Sequence, residues 1–213
     1  LFIYGAPGIG KTAAIRNVIN ELEEETDEVS AIYINCWQKN SAFKILCEMC
    51  EQLGYMLTHN KRTEELLAVV KNILNKKAAV FAFDEIDKLE DIDFLYDVLE
   101  EIYKKSILLI TNDKEWLENL DERVKSRLLP ETLEFKPYNL EETRDVLKHR
   151  LQYAFAPNVW ENNAFELIVK KTAESQDIRL GLHLMREAAS IAEDKSSRKI
   201  TSEHANAAIA KID

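Results

Sequence analysis

Five short apolar stretches along the chain are rich in β-branched and aromatic residues and predict β-strands. They cover residues 1–4, 31–36, 78–83, 106–111 and 132–135. The first four are nearly continuous apolar runs, which is typical of a parallel sheet that helices cover on both faces. The fifth alternates between apolar and polar residues and is predicted to be an edge strand. Segments with helical periodicity separate the strands, which predicts a doubly wound α/β domain.

The pattern changes after residue 136, where no further strand is predicted. Four segments with helical periodicity follow, at residues 140–156, 162–174, 178–194 and 202–212. Pro137 marks a predicted hinge, because proline cannot continue the hydrogen bonding of a strand or a helix. We therefore predict two domains, residues 1–137 and residues 138–213, with Thr201 in the N-cap region of the last helix.

Composition narrows the class of protein. The chain has 213 residues, 46% of them hydrophobic, which is enough to build a sizeable core. No apolar run approaches the roughly 18 residues of a membrane helix and no leader pattern is seen, so no membrane partner is expected. The net charge of −10 matches a polyanion poorly, so any nucleic-acid contact should be local or lie outside these residues. Leu1 lies inside an apolar run with no initiator methionine, which predicts a piece of a longer chain.

The three cysteines are an odd number and cannot all pair internally. This favours a reducing compartment, the cytosol or nucleoid, or the nucleus in a eukaryote. Cys47 and Cys50 have the spacing of zinc ligands. Because no second pair follows and both lie in a helical pattern, we expect thiols in a core rather than a metal site.

The stretch GAPGIGKT at residues 5–12 fits the phosphate-binding pattern G-x-x-x-x-G-K-[ST] between a predicted strand and a predicted helix. Glycines let successive backbone N–H groups surround a phosphate, and the positive end of the helix dipole adds to the attraction. Lys11 is predicted to reach the β- and γ-phosphates of ATP or ADP, and Thr12 to ligate Mg²⁺. The other predicted nucleotide contacts in this stretch are Gly5, Ala6, Pro7, Gly8, Ile9, Gly10 and Ala13.

Such a loop alone does not distinguish ATP hydrolysis from phosphoryl transfer to a small substrate. The third predicted strand leads into Asp84 and Glu85, at the edge where open α/β sheets bind ligands. Asp84 is predicted to hold the Mg²⁺ shell, and Glu85 to orient and polarise the attacking water. The alternative makes Glu85 and Asp87 the solvated start of a loop, and for Asp87 this alternative is the one we expect.

Asn112 follows the fourth predicted strand. A neutral amide at this position could hydrogen-bond both the γ-phosphate and the attacking water without adding charge, which predicts a sensor. The alternative is a turn residue or the cap of the helix that contains Trp116.

Together these motifs resemble those of an AAA+ ATPase: the loop, FDEID at 83–87, TN at 111–112, DERVKSRL at 121–128 and QDIR at 176–179. Within that superfamily the chain resembles replication initiators of the origin-recognition and cell-division-control type, in their archaeal form. The motifs that carry this closer resemblance are YINC at 33–36, DERVKSRL at 121–128, FKPYNLEETRDVLKHRL at 135–151, and QDIRLGLHLMREAASIAE before ITSEHANAAI. The resemblance spans nearly the whole chain and implies a P-loop NTPase fold, with a five-stranded parallel sheet, helices on both faces and a small all-α lid.

The resemblance also implies roles for residues outside the loop. Arg179 would be a second sensor that reaches the γ-phosphate, and the alternative is a surface arginine paired with Asp177. Arg127, or else Arg123, would be the finger in a neighbouring subunit's ATP site, and the alternative for both is a solvated helix position. A finger supplied in trans predicts slow hydrolysis by the isolated chain. Tyr138 would contact adenine or pack at the hinge.

The partners implied by the family are duplex DNA and either other AAA+ subunits or the replicative helicase. Relatives contact DNA through a helical insertion after the second strand, which corresponds to residues 37–44, where Lys39 and Lys44 lie beside aromatic residues. An amphipathic core helix is the alternative for this segment. The winged-helix domain that supplies much duplex binding in the family is expected outside these residues.

The function predicted from the sequence is an ATP-dependent switch in a DNA replication initiator that recognises origins and helps to load the replicative helicase. One alternative is a nucleotide-dependent scaffold with little turnover, and another is a clamp-loader or helicase-loader ATPase. A small-molecule kinase is disfavoured, because its acceptor lid should be inserted within the sheet domain rather than follow the last strand.

Overall fold

The computed structural model describes residues 1–212. It divides into two compact units, the first made of residues 1–5 and 11–135 and the second of residues 6–10 and the chain from Lys136 onward. Strands and helices alternate through the first unit as β1 (Phe2–Gly5), α1 (Lys11–Glu25), β2 (Val29–Asn35), α2 (Ala42–Gln52), α3 (Thr63–Leu74), β3 (Ala78–Asp84), α4 (Asp93–Glu101), β4 (Lys105–Thr111), α5 (Glu122–Leu128) and β5 (Thr132–Phe135). Short 3₁₀ helices follow β3 and β4, at Ile86–Lys88 and Lys114–Leu117.

The five strands form one sheet in the order β2-β3-β4-β1-β5. Every pair of neighbouring strands is parallel. The predicted parallel sheet is therefore confirmed, and β5 lies at an edge as its alternating pattern predicted. The strands lie within one or two residues of their predicted bounds.

Successive side chains on the strands enter two different cores, because neighbours on a strand point to opposite faces of the sheet. Phe81 and Phe83 are fully buried on one face, where their rings stack with centroids 5.9 Å apart. Ala82 enters the core on the other face, where it packs with Ile15 and Ile19 of α1. Helices therefore cover both faces of the sheet.

The cysteines contribute to the core of the first unit. Cys36 and Cys50 are buried there, and Cys47 is half-buried. Burial raises the pKa of the Cys36 thiol to about 12 and that of Cys50 to about 11. Both thiols are therefore protonated at neutral pH and poorly suited to bind a metal, which needs the thiolate.

The second unit is helical, with α6 (Leu140–Ala154), α7 (Asn162–Ser175), α8 (Ile178–Asp194) and α9 (Ser202–Ala210). Asn139 begins α6, since its Oδ1 accepts hydrogen bonds of 2.9 Å from the backbone N–H groups of both Glu141 and Glu142. Thr201 is the N-cap of α9, as predicted. A separate core joins the four helices and includes Leu147, Ile168, Leu184, Ala188 and Ala205. Within residues 1–212, no helix has both the length and the apolar character needed to cross a lipid bilayer.

Removing the Phe81 ring should destabilise the first unit. We expect Phe81→Ala to lower the free energy of unfolding by about 3–5 kcal/mol, because the ring is fully buried and its loss leaves a cavity. Urea unfolding followed by circular dichroism measures the change. Tyr103→Ala is the control, since the Tyr103 side chain is 74% exposed and its loss should cost no more than about 0.5 kcal/mol. A Phe81→Ala protein that unfolds at the wild-type urea concentration would contradict this account of the core.

Candidate functional site

Residues predicted for the site come from the ends of three neighbouring strands of the sheet. Gly5 ends β1, Asp84 ends β3, and Asn112 directly follows β4, which lies between the other two. All three strands are parallel, so their carboxyl ends lie at the same edge of the sheet, where open α/β sheets bind ligands. The first turn of α1 reaches this edge and supplies Lys11 and Thr12.

Lys11 is held at this edge by two oxygen acceptors. Its Nζ donates to the backbone carbonyl of Gly5 at 2.8 Å and to Oδ1 of Asn112 at 2.7 Å. Only 6% of Lys11 is exposed, and a buried ammonium group is costly unless it is hydrogen-bonded. The contact joins the predicted phosphate-binding lysine to the predicted sensor on the neighbouring strand.

Asp84 accepts hydrogen bonds from the hydroxyl groups of residues on two different elements. Its Oδ2 accepts from Thr12 Oγ1 at 2.6 Å and from the Tyr33 hydroxyl at 2.7 Å. Its Oδ1 accepts from the backbone N–H of Glu85 at 3.0 Å. The carboxylate is 3% exposed, so these donors replace the water that it loses on burial.

The Thr12 and Asp84 oxygens fit a magnesium ion that also binds phosphate. Mg²⁺ prefers oxygen ligands and is usually held by one or two carboxylates together with substrate phosphates and water. A hydroxyl and a carboxylate oxygen 2.6 Å apart, at the N-terminus of a helix, provide the protein part of such a shell. The donor set therefore fits the metal that the sequence predicted.

Glu85 has a strained backbone at the end of β3. Its φ of 53° and ψ of 45° are in the left-handed region, which is unfavourable for a residue with a Cβ. Such conformations cost on the order of 1–3 kcal/mol and occur most often at functional sites. The strain is consistent with the catalytic role predicted for Glu85, which stays a prediction.

The loop between β1 and α1 requires glycine at two positions. Gly8 has a φ of +82° and Gly10 a φ of +94°, both in a region that other residues rarely adopt. Ile9, between them, is 1% exposed and anchors the loop. The loop leads directly into the first turn of α1, whose dipole favours an anion at that end.

Asp87 is not the solvated loop residue that the sequence predicted. Its side chain is 12% exposed and pairs with Lys88. Its Oδ1 accepts from Thr111 Oγ1 at 2.6 Å. Burial would raise the pKa of Asp87, but the hydrogen bonds from Lys88 and Thr111 outweigh burial and lower it. Asp87 therefore fastens the segment after β3 to the end of β4, next to Asn112.

The two finger candidates lie on α5, against the ring of Tyr96. The guanidinium carbon of Arg127 stands 4.7 Å from the ring centroid, and that of Arg123 stands 5.9 Å from it. Arg127 pairs with Glu100, and Arg123 with Asp121. Their side chains are 41% and 64% exposed. Both arginine side chains are accessible from solvent. The role of either one as an arginine finger stays a prediction.

Within the second unit, Tyr138 and Asp177 lie beside the loop glycines. A Cβ placed on Gly10 would stand 3.6 Å from the Tyr138 hydroxyl, and one placed on Gly8 would stand 2.0 Å from Asp177 Oδ1. Arg179, in the first turn of α8, donates through Nε to Asp177 Oδ1 at 3.3 Å and is 67% exposed. This pairing matches the surface alternative. The sensor role of Arg179 and an adenine contact by Tyr138 stay predictions.

The segment considered for DNA binding does not begin as a helix. Residues 36–41 form turns and bends, and α2 begins only at Ala42. Lys39 pairs with Glu48 at 2.9 Å, and Lys44 Nζ donates to an asparagine side chain at 2.8 Å. One side of α2 is buried in the core of the first unit, through Ile45, Leu46, Met49 and Cys50. These contacts favour the alternative, an amphipathic core helix. A DNA contact by this segment remains a prediction.

Tyr33 is the site residue that the sequence reasoning missed. The motif YINC served only as a clue to the family. Asn35 pairs with Asp84 across β2 and β3, and Tyr33 lies two residues earlier, on the same face of the sheet. A long side chain can reach such a diagonal neighbour. Only the pairing of β2 with β3, which the sequence does not specify, would have identified it.

Comparison with known proteins gives the family. A family model described as an AAA domain matches residues 1–115, and a model of the Cdc6 AAA+ ATPase-type lid domain matches residues 144–210. The two matches agree with the α/β unit and the helical unit of the fold.

The chain is 36% identical to ORC1-type DNA replication protein 1 of Sulfurisphaera tokodaii, over 100% of this chain and 57% of that protein. It is 35% identical to the ORC1-type DNA replication protein of Thermoplasma volcanium, over 94% of this chain and 53% of that protein. A solved structure of the Aeropyrum pernix ORC1 protein in complex with DNA matches with a TM-score of 0.85 and 30% identity, covering 99% of this chain and 59% of that one. The chain thus spans somewhat more than half the length of these relatives.

The AAA domain model covers more than half of the chain, and the lid model covers most of the remaining helices. Both relatives are ORC1-type DNA replication proteins from archaea, and the matched fold is that of an archaeal ORC1 protein. The chain therefore belongs to the AAA+ ATPases of the origin-recognition and Cdc6 type.

Proposed function

We propose that this chain is the ATP-binding and ATP-hydrolysing module of a DNA replication initiator that recognises origins, helps to load the replicative helicase and switches with nucleotide state. The observation that supports this most is a pair of hydrogen bonds, from Thr12 to Asp84 and from Lys11 to Asn112. They bring together a cation for phosphate, oxygen ligands for Mg²⁺ and a neutral amide. These are the groups that ATP hydrolysis requires at the γ-phosphate.

In this proposal each group has one task. Lys11 binds the β- and γ-phosphates, and Thr12 and Asp84 hold Mg²⁺, which when bound neutralises charge on the phosphates. Glu85 accepts a proton from the attacking water as general base. Asn112 orients that water and contacts the γ-phosphate. Residues 1–137 bind the nucleotide, while residues 138–213 act as a lid, from which Arg179 senses the γ-phosphate and Tyr138 contacts adenine.

The process and the partners come from the relatives. Their names refer to DNA replication, and the Aeropyrum pernix protein was solved with DNA. These names support DNA as a partner of this protein, and the family resemblance adds further AAA+ subunits or the replicative helicase to the proposal. The net charge of −10 and the paired Lys39 favour a DNA contact by other parts of the protein.

Loss of the lysine should abolish tight nucleotide binding. We expect Lys11→Ala to weaken ATP affinity about 100-fold, because hydrogen bonds between an ammonium group and phosphate oxygens are charge-assisted. Isothermal titration calorimetry with Mg·ATP measures the change. Lys76→Ala removes an exposed lysine after α3 and is the matched control. Unchanged affinity in Lys11→Ala, in a folded protein, would contradict a nucleotide site at this loop.

Loss of the general base should separate binding from turnover. We expect Glu85→Gln to keep ATP affinity and to lower the rate of phosphate release about 10²–10⁴-fold, because glutamine cannot accept the proton. Glu64→Gln, on the exposed side of α3, is the control. The decisive comparison is single-turnover hydrolysis at saturating Mg·ATP. Equal hydrolysis rates for Glu85→Gln and wild type would contradict the catalytic role of Glu85. A wild-type protein that retains nucleotide without hydrolysing it would favour the alternative function, a nucleotide-dependent scaffold.

Loss of the finger should affect only the assembled protein. Arg127 contacts Glu100 and Tyr96 on the surface of its own chain, so Arg127→Ala should leave ATP affinity of the isolated chain unchanged. Any acceleration of hydrolysis on assembly should fall about 10³-fold or more, the usual worth of an arginine supplied in trans. Arg123→Ala is the matched control on the same helix. If Arg123→Ala loses the acceleration instead, the finger is Arg123.

A further inference from the structure

The edge strand β2 carries a tyrosine whose hydroxyl contacts the catalytic carboxylate. The Tyr33 hydroxyl donates to Oδ2 of Asp84 at 2.7 Å, and the same oxygen accepts from Thr12 at 2.6 Å. The two donors come from different elements, β2 and α1. They therefore restrain the carboxylate from two directions, which one hydrogen bond would not do.

The backbone of Tyr33 is fixed on the open side of the edge strand. Its N–H donates to Gln52 Oε1 at 3.2 Å, and its carbonyl accepts from Gln52 Nε2 at 2.9 Å. At this one position the Gln52 amide takes the place of a further strand, since it bonds both backbone groups of Tyr33 on the open side of β2. Gln52 is itself held by Glu48, whose Oε1 accepts from Nε2 at 3.0 Å.

The ring of Tyr33 is held by a cation rather than by apolar packing alone. The guanidinium carbon of Arg16 lies 4.5 Å from the ring centroid, a cation–π distance. A cleft of about 480 Å³, lined by both side chains and by Asn35 and Gln52, opens beside the ring. Arg16 lies one helical turn after Thr12 on α1, so the same helix fixes the ring and supplies the second hydroxyl.

We propose that Tyr33 is a positioning residue for Mg²⁺ binding, which holds Asp84 in the orientation that the metal shell of bound ATP needs. The inference rests on the proposed function, because it takes Asp84 as part of that shell. Residues that orient a metal ligand without touching the metal typically change metal affinity or activity about 10–100-fold when mutated.

The test is the Mg²⁺ dependence of ATP binding by the Tyr33→Phe chain, which keeps the ring and loses only the hydroxyl. A fluorescent ATP analogue is titrated at rising Mg²⁺ concentration, and again in EDTA. We expect the Mg²⁺ concentration at half-saturation to rise about tenfold or more, because one of the two side-chain donors to Asp84 Oδ2 is lost. Affinity in EDTA should stay at the wild-type value, since Lys11 and the loop are intact. Tyr55→Phe removes the hydroxyl of another partly buried tyrosine, which packs on a different core of the first unit, and is the matched control.

Three results would overturn the inference. An unchanged Mg²⁺ half-saturation, whether or not Tyr33→Phe lowers the free energy of unfolding, would make the hydroxyl merely structural. An equal loss of ATP affinity with Mg²⁺ and in EDTA would mean that the substitution disturbs the phosphate-binding loop. If ATP binding by the wild-type chain does not depend on Mg²⁺, the proposed function is wrong and this inference falls with it. That outcome is distinct from the other two, because it is seen in the unmutated chain.

Discussion

The parallel pairing of β3, β4 and β1 is the constraint on which the candidate site depends. Asp84 is paired with Ile110 across β3 and β4, and Tyr4 with Thr111 across β1 and β4. This register brings the last residue of β3, the residue after β4 and the loop after β1 to one edge. A slip of one residue in β3 would turn Asp84 to the opposite face of the sheet, away from α1. Backbone pairing therefore fixes where the residues of the candidate site lie.

Burial at that edge requires hydrogen-bonding side chains around the charged groups of Lys11 and Asp84. Lys11 and Asp84 are both almost fully buried, and an ionised group in such a place is strongly destabilising unless hydrogen bonds replace its water. Asn112 does this for Lys11, while Thr12 and Tyr33 do it for Asp84. Under the proposed function, the same contacts hold these groups in position, so little reorganisation is needed when phosphate binds. What stabilises the buried charges therefore also prepares the site.

The parts of this arrangement that depend on local sequence could be predicted. The five strands follow from apolar runs. A loop motif and a strand end predicted that Thr12 and Asp84 would lie together, and they are hydrogen-bonded. Tyr33 and Asp87 could not be assigned in this way. Their roles depend on which strands are neighbours and on side-chain contacts 51 and 24 residues along the chain. The turn at residues 36–41 could not be predicted either, because the apolar pattern of α2 does not specify the residue at which the helix begins.

The two arginines that the family resemblance assigns to phosphate are both paired with carboxylates of their own chain. Arg127 pairs with Glu100, and Arg179 with Asp177. A guanidinium group binds carboxylate and phosphate through the same planar set of donors, so a phosphate would replace one anionic partner with another. Both pairs are solvent-exposed, and such pairs are weak and sensitive to salt. Under the proposed function, each arginine can therefore exchange its carboxylate for a γ-phosphate and return when that phosphate is lost. Neither state leaves the guanidinium without an anion, which is a physical basis for a reversible switch.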